Sequence, residues 1–295
     1  MLKFKAGPRS FLRDAAEALA RTRYDRIEVR PQSPTIGAEI HGVSLAEPID
    51  EATFAEIRRA FLDYKVIFFR QQHISSPQHV AFARRFGELE THPFLRNRED
   101  APEVVVFEKD EGMAGYENVW HSDVTWRQEP SLGSVLRAVE VPAVGGDTLF
   151  SDMNAAFEGL RSEVKQTIAS LRAVHDFSQT FGRMLRGEEL ERKRREFPPA
   201  EHPVVRTHPE TGRKTLYVNA IFTSHVVGMS REESASLLDL LYRQAAIPEY
   251  QCRFRWEKDS IAFWDNRAVQ HYAASDYWPK RRVMERATVI GDRPY

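Results

Sequence analysis

The chain has a single cysteine, Cys252, so an internal disulfide is excluded. It has no uninterrupted run of about 18 apolar residues, which leaves no candidate for a membrane-spanning helix. Net charge is missing as well: 42 basic residues stand against 43 acidic ones, for a formal charge of -1. Such a balance gives no field to gather nucleic acid or an anionic membrane, and a small-molecule partner becomes the default expectation. The first residues lack the apolar stretch of about 7–15 residues found in signal peptides and carry acidic Asp14 and Glu17, so the expected location is cytoplasmic. Internal repeats, low-complexity tails and interdomain linkers are also absent, which predicts one main domain.

What is present suits a globular enzyme-sized body: 295 residues, 42% hydrophobic and 29% charged. Phe11, Leu12, Ala15, Ala16 and Leu19 fall at helical spacing and predict a short amphipathic helix over residues 9–22. Residues 1–27 are accordingly expected as a helical appendage or homo-oligomer contact, and residues 28–295 as the single domain. Asp50 is placed to cap a helix over 51–64, followed by a buried strand at 66–69, and Ser76-Pro77 opens another helix. From residue 103 onward short β-rich runs dominate, at 104–107, 134–139, 148–150, 204–207, 215–218, 254–256, 261–264 and 282–290. That spacing predicts a sandwich or barrel, mainly β with flanking helices near 152–171 and 230–246. Ser230 with Glu233 three positions on marks the start of the latter. The basic run 192–195, flanked by glutamates, reads as a solvated helical face.

Chemistry concentrates in a few segments. Residues 118–126 place His121 and Asp123 two positions apart, which on an extended strand points both side chains the same way. A third imidazole would complete a two-histidine, one-carboxylate face, a ligand set that leaves open positions for oxygen chemistry at Fe(II). His271 is the candidate, since it follows a strand and turn at 261–270, whereas His41, His73, His79, His202 and His225 read as ordinary core or surface residues. Downstream of His271, an alternating segment puts Arg282, Met284 and Arg286 on one face. Two guanidinium groups on an apolar face are costly unless each meets an anion. About 3.3 Å of rise per residue sets their Cα atoms roughly 13 Å apart, room for two small anions flanking a metal.

With these residues in view the chain resembles the taurine/2-oxoglutarate dioxygenases, a branch of the Fe(II)- and 2-oxoglutarate-dependent oxygenases. The similarity runs from about Pro34 to Pro294 and rests on six blocks: His92-Pro93, residues 120–125, residues 145–149, residues 202–209, residues 264–267, and the stretch from His271 to Arg286. The resemblance implies a double-stranded β-helix, a cupin-like jelly roll, with His121, Asp123 and His271 binding Fe(II). It implies 2-oxoglutarate as co-substrate, its distal carboxylate meeting Arg282 and Thr148, and O2 as oxidant. It further implies a substrate sulfonate held by His92, the Val124 backbone and Arg286, between Phe181 and Phe222. The expected outcome is hydroxylation beside the sulfonate, with release of sulfite and an aldehyde. At the far end of the substrate this sequence departs from the taurine enzymes: a tyrosine becomes Leu95, and an asparagine matches Glu117 or Asn118. Leu95 cannot hydrogen-bond, while Glu117 could pair with an ammonium group. Taurine, other sulfonates, sulfate esters and carboxylates therefore all stand as candidate substrates.

Two rival classes use the same residues. Zinc hydrolysis also suits two imidazoles and a carboxylate, but gives no reason for Arg282 and Thr148. A catalytically silent jelly-roll binding protein would have lost a ligand or the arginine, and this chain retains both.

Overall fold

The computed structural model describes residues 9–295. In chain order the described residues form α1 (Ser10–Ala20), β1 (Glu28–Pro31), β2 (Ala38–His41), α2 (Glu51–Tyr64), β3 (Val66–Phe69), α3 (Ser76–Arg84), β4 (Val104–Lys109), β5 (Ser131–Glu140) and β6 (Thr148–Asp152). There follow α4 (Met153–Glu158), α5 (Ser162–Ile168), β7 (Arg172–His175), α6 (Gly187–Glu196), β8 (Ala200–Pro203), β9 (Val205–Thr207), β10 (Lys214–Leu216) and β11 (Thr223–Val226). The chain closes with α7 (Arg231–Tyr242), β12 (Gln251–Phe254), β13 (Ile261–Asp265), β14 (Val269–Ala273) and β15 (Arg282–Ile290).

A seven-stranded sheet in the order β1-β2-β3-β13-β5-β15-β4 faces a smaller sheet, β12-β6-β14. Strand alternation explains the layering. Val66 and Phe68 of β3, Ala262 and Trp264 of β13 and Met284 of β15 share one core with Phe150 of β6 and Phe254 of β12, and so fill the space between the sheets. The intervening Ile67, Phe69, Ile261, Phe263, Ala287 and Val289 turn outward against Ile57 and Phe61 of α2 and Phe82 of α3. This two-sheet roll is the expected double-stranded β-helix. Among the described residues no helix is long and apolar enough to cross a membrane.

The cap signals operate as the sequence predicts. Asp50 accepts the N–H groups of Ala52 and Thr53, and Ser230 forms a reciprocal capping box with Glu233. The helix expected over 152–171 is instead two, α4 and α5, because the chain breaks at Gly159, where a Cβ would collide with the Tyr250 hydroxyl. Helix α1 lies against the body: Leu19 is buried with Ala38 and Tyr64, and the Phe11 ring stands 6.2 Å from that of Tyr250. Residues 1–8 of the expected appendage lie outside the described residues. The basic run on α6 is solvated apart from Lys193, whose ammonium sits 5.3 Å from the Phe94 ring and 5.2 Å from the Phe197 ring.

Candidate active site

Three side chains meet between the two sheets. His271 lies at the centre of β14, and His121 forms an isolated antiparallel bridge with it, the His121 N–H donating to the His271 carbonyl at 3.1 Å and the reverse bond measuring 2.8 Å. The expectation of a strand running through Asp123 needs correction, since the chain turns there. Asn266, in the turn between β13 and β14, takes up the Asp123 backbone: its Oδ1 accepts the Asp123 N–H at 2.6 Å and its Nδ2 donates to the Asp123 carbonyl at 2.9 Å. Val124 follows in the left-handed region at φ 45°, a conformation that β-branched residues resist. The side chains converge as expected, but through a bridge and a turn rather than a pleat.

The donor atoms of His121, Asp123 and His271 all lie within 4.8 Å of one another, and all three residues are buried. Asp123 Oδ1 is 3.8 Å from His121 Nε2 and 3.9 Å from His271 Nε2. Donors bonded to a shared ion at about 2.1 Å stand at most ~4 Å apart, so this oxygen suits one ion with either imidazole. The Nδ1 of His121 lies 2.7 Å from the Val119 carbonyl, which can only accept; the proton therefore sits on Nδ1, and Nε2 is free to ligate. Burial raises the Asp123 pKa, yet Arg286, His271 and His121 outweigh it and hold the carboxyl well below the usual carboxylate range. Burial, with the neighbouring His121 ring and Arg286 acting in the same direction, lowers His271 to about 3. Ionised carboxylate and neutral imidazole are the forms a divalent cation needs.

Beside this centre lies a cavity of about 70 Å³ lined by Thr148, Tyr277 and Arg282. Arg282 is 7% exposed, and its Nε and Nη2 are buried with no hydrogen-bond partner among the described residues. Burial lowers its pKa from the ordinary arginine value, and the guanidinium lies over the Tyr277 ring at 5.6 Å. An uncompensated buried cation of this kind is a receptor for an anion. Thr148 Oγ1 already accepts the Trp256 indole N–H at 2.9 Å, so its own proton remains free to donate. Gly146, at φ 74°, lets the backbone approach Arg282, where a Cβ would sit 3.3 Å from the arginine Cδ and Nε.

A second cavity, of about 470 Å³, opens on the other side of Asp123. Arg286 lines it and donates from Nη1 to Asp123 Oδ1 at 3.0 Å. His92 lines it too. The His92 Nδ1 accepts the N–H groups of Phe94 and Leu95, each at 3.2 Å, so its proton lies on Nε2, a buried donor with no partner among the described residues. Burial, reinforced by Arg286, lowers His92 to about 3 and keeps it neutral. Val124, Phe181 and Phe222 also line this space, and the Phe181 and Phe222 rings stack at 6.2 Å.

At the far end the alternative between Glu117 and Asn118 narrows. Glu117 borders both cavities, and its Oε1 is 3.0 Å from Lys109 Nζ, which balances its charge. Asn118 is exposed and lines neither cavity. Sequence reasoning missed Asn266, Trp256 and Lys109, as well as Ser134, whose hydroxyl donates to Asp123 Oδ2 at 3.0 Å. Trp256 lies within the strand expected over 254–256, and Asn266 lies in the 264–267 block, which gives no sign of its grip on Asp123.

Known proteins resemble this chain over most of its length. The family described as "Taurine catabolism dioxygenase TauD, TfdA family" matches residues 28–288. An alkylsulfatase of Acinetobacter baylyi is 35% identical over 275 residues, covering 90% of this chain and 86% of its own length. An alpha-ketoglutarate-dependent sulfate ester dioxygenase of Pseudomonas putida is 35% identical over 276 residues, covering 91% of each chain. The crystal structure of a taurine dioxygenase from Burkholderia xenovorans superposes with a TM-score of 0.80 at 38% identity, covering 92% of this chain and 91% of its own. A jelly roll with this donor set, matched over most of its length by such relatives, makes the chain a member of the TauD/TfdA family of Fe(II)- and 2-oxoglutarate-dependent dioxygenases.

Proposed function

We propose that the protein hydroxylates the carbon that bears the sulfo group of a sulfonate, or the sulfate oxygen of a sulfate ester, in a substrate with an apolar chain. The observation that carries this reading is the pairing, in one cavity, of a cationic floor at Arg286 with apolar walls, where the bordering Glu117 is already ion-paired with Lys109. In this reading His121, Asp123 and His271 hold the iron, while Arg282 and the Thr148 hydroxyl grip the distal carboxylate of 2-oxoglutarate. The bound iron, with 2-oxoglutarate and O2, supplies the oxidising chemistry.

The chain's own residues position the substrate and keep out water. Arg286 and the His92 Nε2–H grip the sulfo oxygens, joined by the Val124 N–H, which makes no hydrogen bond among the described residues. Phe181 and Phe222 flank the adjoining carbon, and Leu95, Met184 and Ile221 receive the remaining chain. O2 and 2-oxoglutarate are consumed, and succinate and CO2 leave. One oxygen atom enters the substrate C–H bond. The new hydroxyl then loses its proton as the carbonyl forms, and the carbon releases sulfite by C–S cleavage of a sulfonate or sulfate by C–O cleavage of an ester, leaving an aldehyde. Taurine fits less well, because Leu95 is apolar and Glu117 is held by Lys109.

An oxygen-consumption screen of the Fe(II)-loaded protein over sulfonates, sulfate esters and carboxylates, with sulfite and sulfate measured by ion chromatography, tests the proposal. Turnover of alkyl or arylalkyl sulfonates or sulfate esters above taurine is expected. Turnover of carboxylates alone would overturn it.

A further inference from the structure

Behind the turn that presents Asp123 and Val124 lies a buried polar cluster that lines neither cavity. Asn219 Nδ2 is 3.0 Å from Thr125 Oγ1, and His175 Nδ1 is 2.9 Å from the same oxygen. The amide nitrogen can only donate, so the Thr125 oxygen accepts it while also bonding His175 Nδ1. Burial lowers the His175 pKa well below its ordinary value and keeps the ring neutral. His202 Nε2 lies 2.9 Å from the Thr125 carbonyl and 2.8 Å from that of Arg127, so its N–H holds the backbone of the same turn. At the other end of the Asn219 amide, Oδ1 accepts the N–H of Ile221 at 3.2 Å and of Phe222 at 2.9 Å. Those two residues are walls of the larger cavity. A single buried amide thus ties the cavity wall to the turn carrying Asp123.

We propose that Asn219 and Thr125 are positioning residues for the substrate anion. Through the Thr125 hydroxyl they hold Val124 at φ 45°, a conformation its branched side chain resists, so that its N–H faces the same anion as Arg286. They also fix that donor relative to Phe222. This proposal rests on the reading that the Val124 amide contacts the substrate.

The test uses the full-length protein with Thr125→Val, which keeps the side-chain shape and removes the hydroxyl, and Thr125→Ser, which restores it. Thr125→Ala, which leaves room for a water, serves if the valine variant does not fold. Two readouts are taken: KM for the best sulfur substrate beside KM for 2-oxoglutarate, and hydrogen–deuterium exchange of the peptide covering residues 121–127. The valine variant is expected to raise KM for the substrate about tenfold while KM for 2-oxoglutarate holds, to speed exchange in that peptide, and to be rescued by serine. Equal changes in both KM values, a serine variant as impaired as valine, or unaltered exchange overturns the proposal. If the wild type turns over no sulfonate or sulfate ester, the functional reading fails by itself, and the exchange measurement, which needs no substrate, still decides the positioning claim.

Discussion

Replacing Arg282 by methionine exchanges a buried cation for an apolar side chain of similar length, and the consequences for binding and for stability have opposite signs. Nε and Nη2 of Arg282 are buried and unpartnered among the described residues, so both are available to a carboxylate. Charge-assisted hydrogen bonds contribute about 1.5–3 kcal/mol each. Losing two costs about 3–6 kcal/mol, which at ~1.4 kcal/mol per decade weakens 2-oxoglutarate roughly 100- to 10,000-fold. Without co-substrate the balance reverses. Among the described residues the guanidinium makes no ion pair, its charge being favoured only at a distance by Glu117 and Asp147, and its contact with the Tyr277 ring at 5.6 Å returns only about 0.5–1 kcal/mol. Methionine relieves the desolvation of that charge, so the unliganded variant should melt no lower than the wild type. The assay is anaerobic calorimetry of 2-oxoglutarate binding to the Mn(II)-loaded protein, beside thermal melts with and without co-substrate. In the wild type 2-oxoglutarate should raise Tm, and in the variant it should not. A variant that binds 2-oxoglutarate within about fivefold of wild type yet melts several degrees lower would refute the reasoning, because Arg282 would then be structural.

Two further outcomes follow from the same geometry. Asn266→Ala removes both hydrogen bonds to the Asp123 backbone and should weaken Mn(II) about 10- to 100-fold by isothermal titration, with the fold intact by circular dichroism; unchanged affinity would show that the turn holds itself. His79 and His202, each lowered from 6.5 to about 4 chiefly by burial, should make stability fall as pH drops. The unfolded chain binds these protons from about pH 6.5 downward and the folded one only near pH 4, so unfolding takes up protons across that window. The urea midpoint should therefore be lower at pH 5 than at pH 7.5, and a flat profile would contradict the assigned burial.

Much of this molecule is legible in its sequence, for reasons that differ by region. Asp50 and Ser230 announce their helices because a cap is a local interaction, complete within four residues. The alternation of β15 shows Arg282, Met284 and Arg286 on one face, and a cation repeated on an apolar face is itself a signal. β7, β8 and β11 escape notice because Arg172–His175, Ala200–Pro203 and Thr223–Val226 are four residues each and hide histidines inside, leaving no apolar alternation to read. The ion pair of Glu117 is hidden from the sequence because its partner, Lys109, comes from the end of β4, and only the folded loop brings their charges to 3.0 Å. Asn266 carries no sign of its role, since an asparagine in a turn is expected for turn chemistry alone. Its grip on Asp123 spans 143 positions of chain.

The central claim is that one divalent ion sits between His121, Asp123 and His271 while the unpaired guanidinium of Arg282 takes the co-substrate. The most direct test is a crystal structure grown anaerobically with Mn(II) and 2-oxoglutarate. The account predicts an ion bonded to both Nε2 atoms and to Asp123 Oδ1, with the distal carboxylate on Arg282 and Thr148. An ion bound elsewhere, or a distal carboxylate resting on Arg286 with Arg282 still unpartnered, would contradict it.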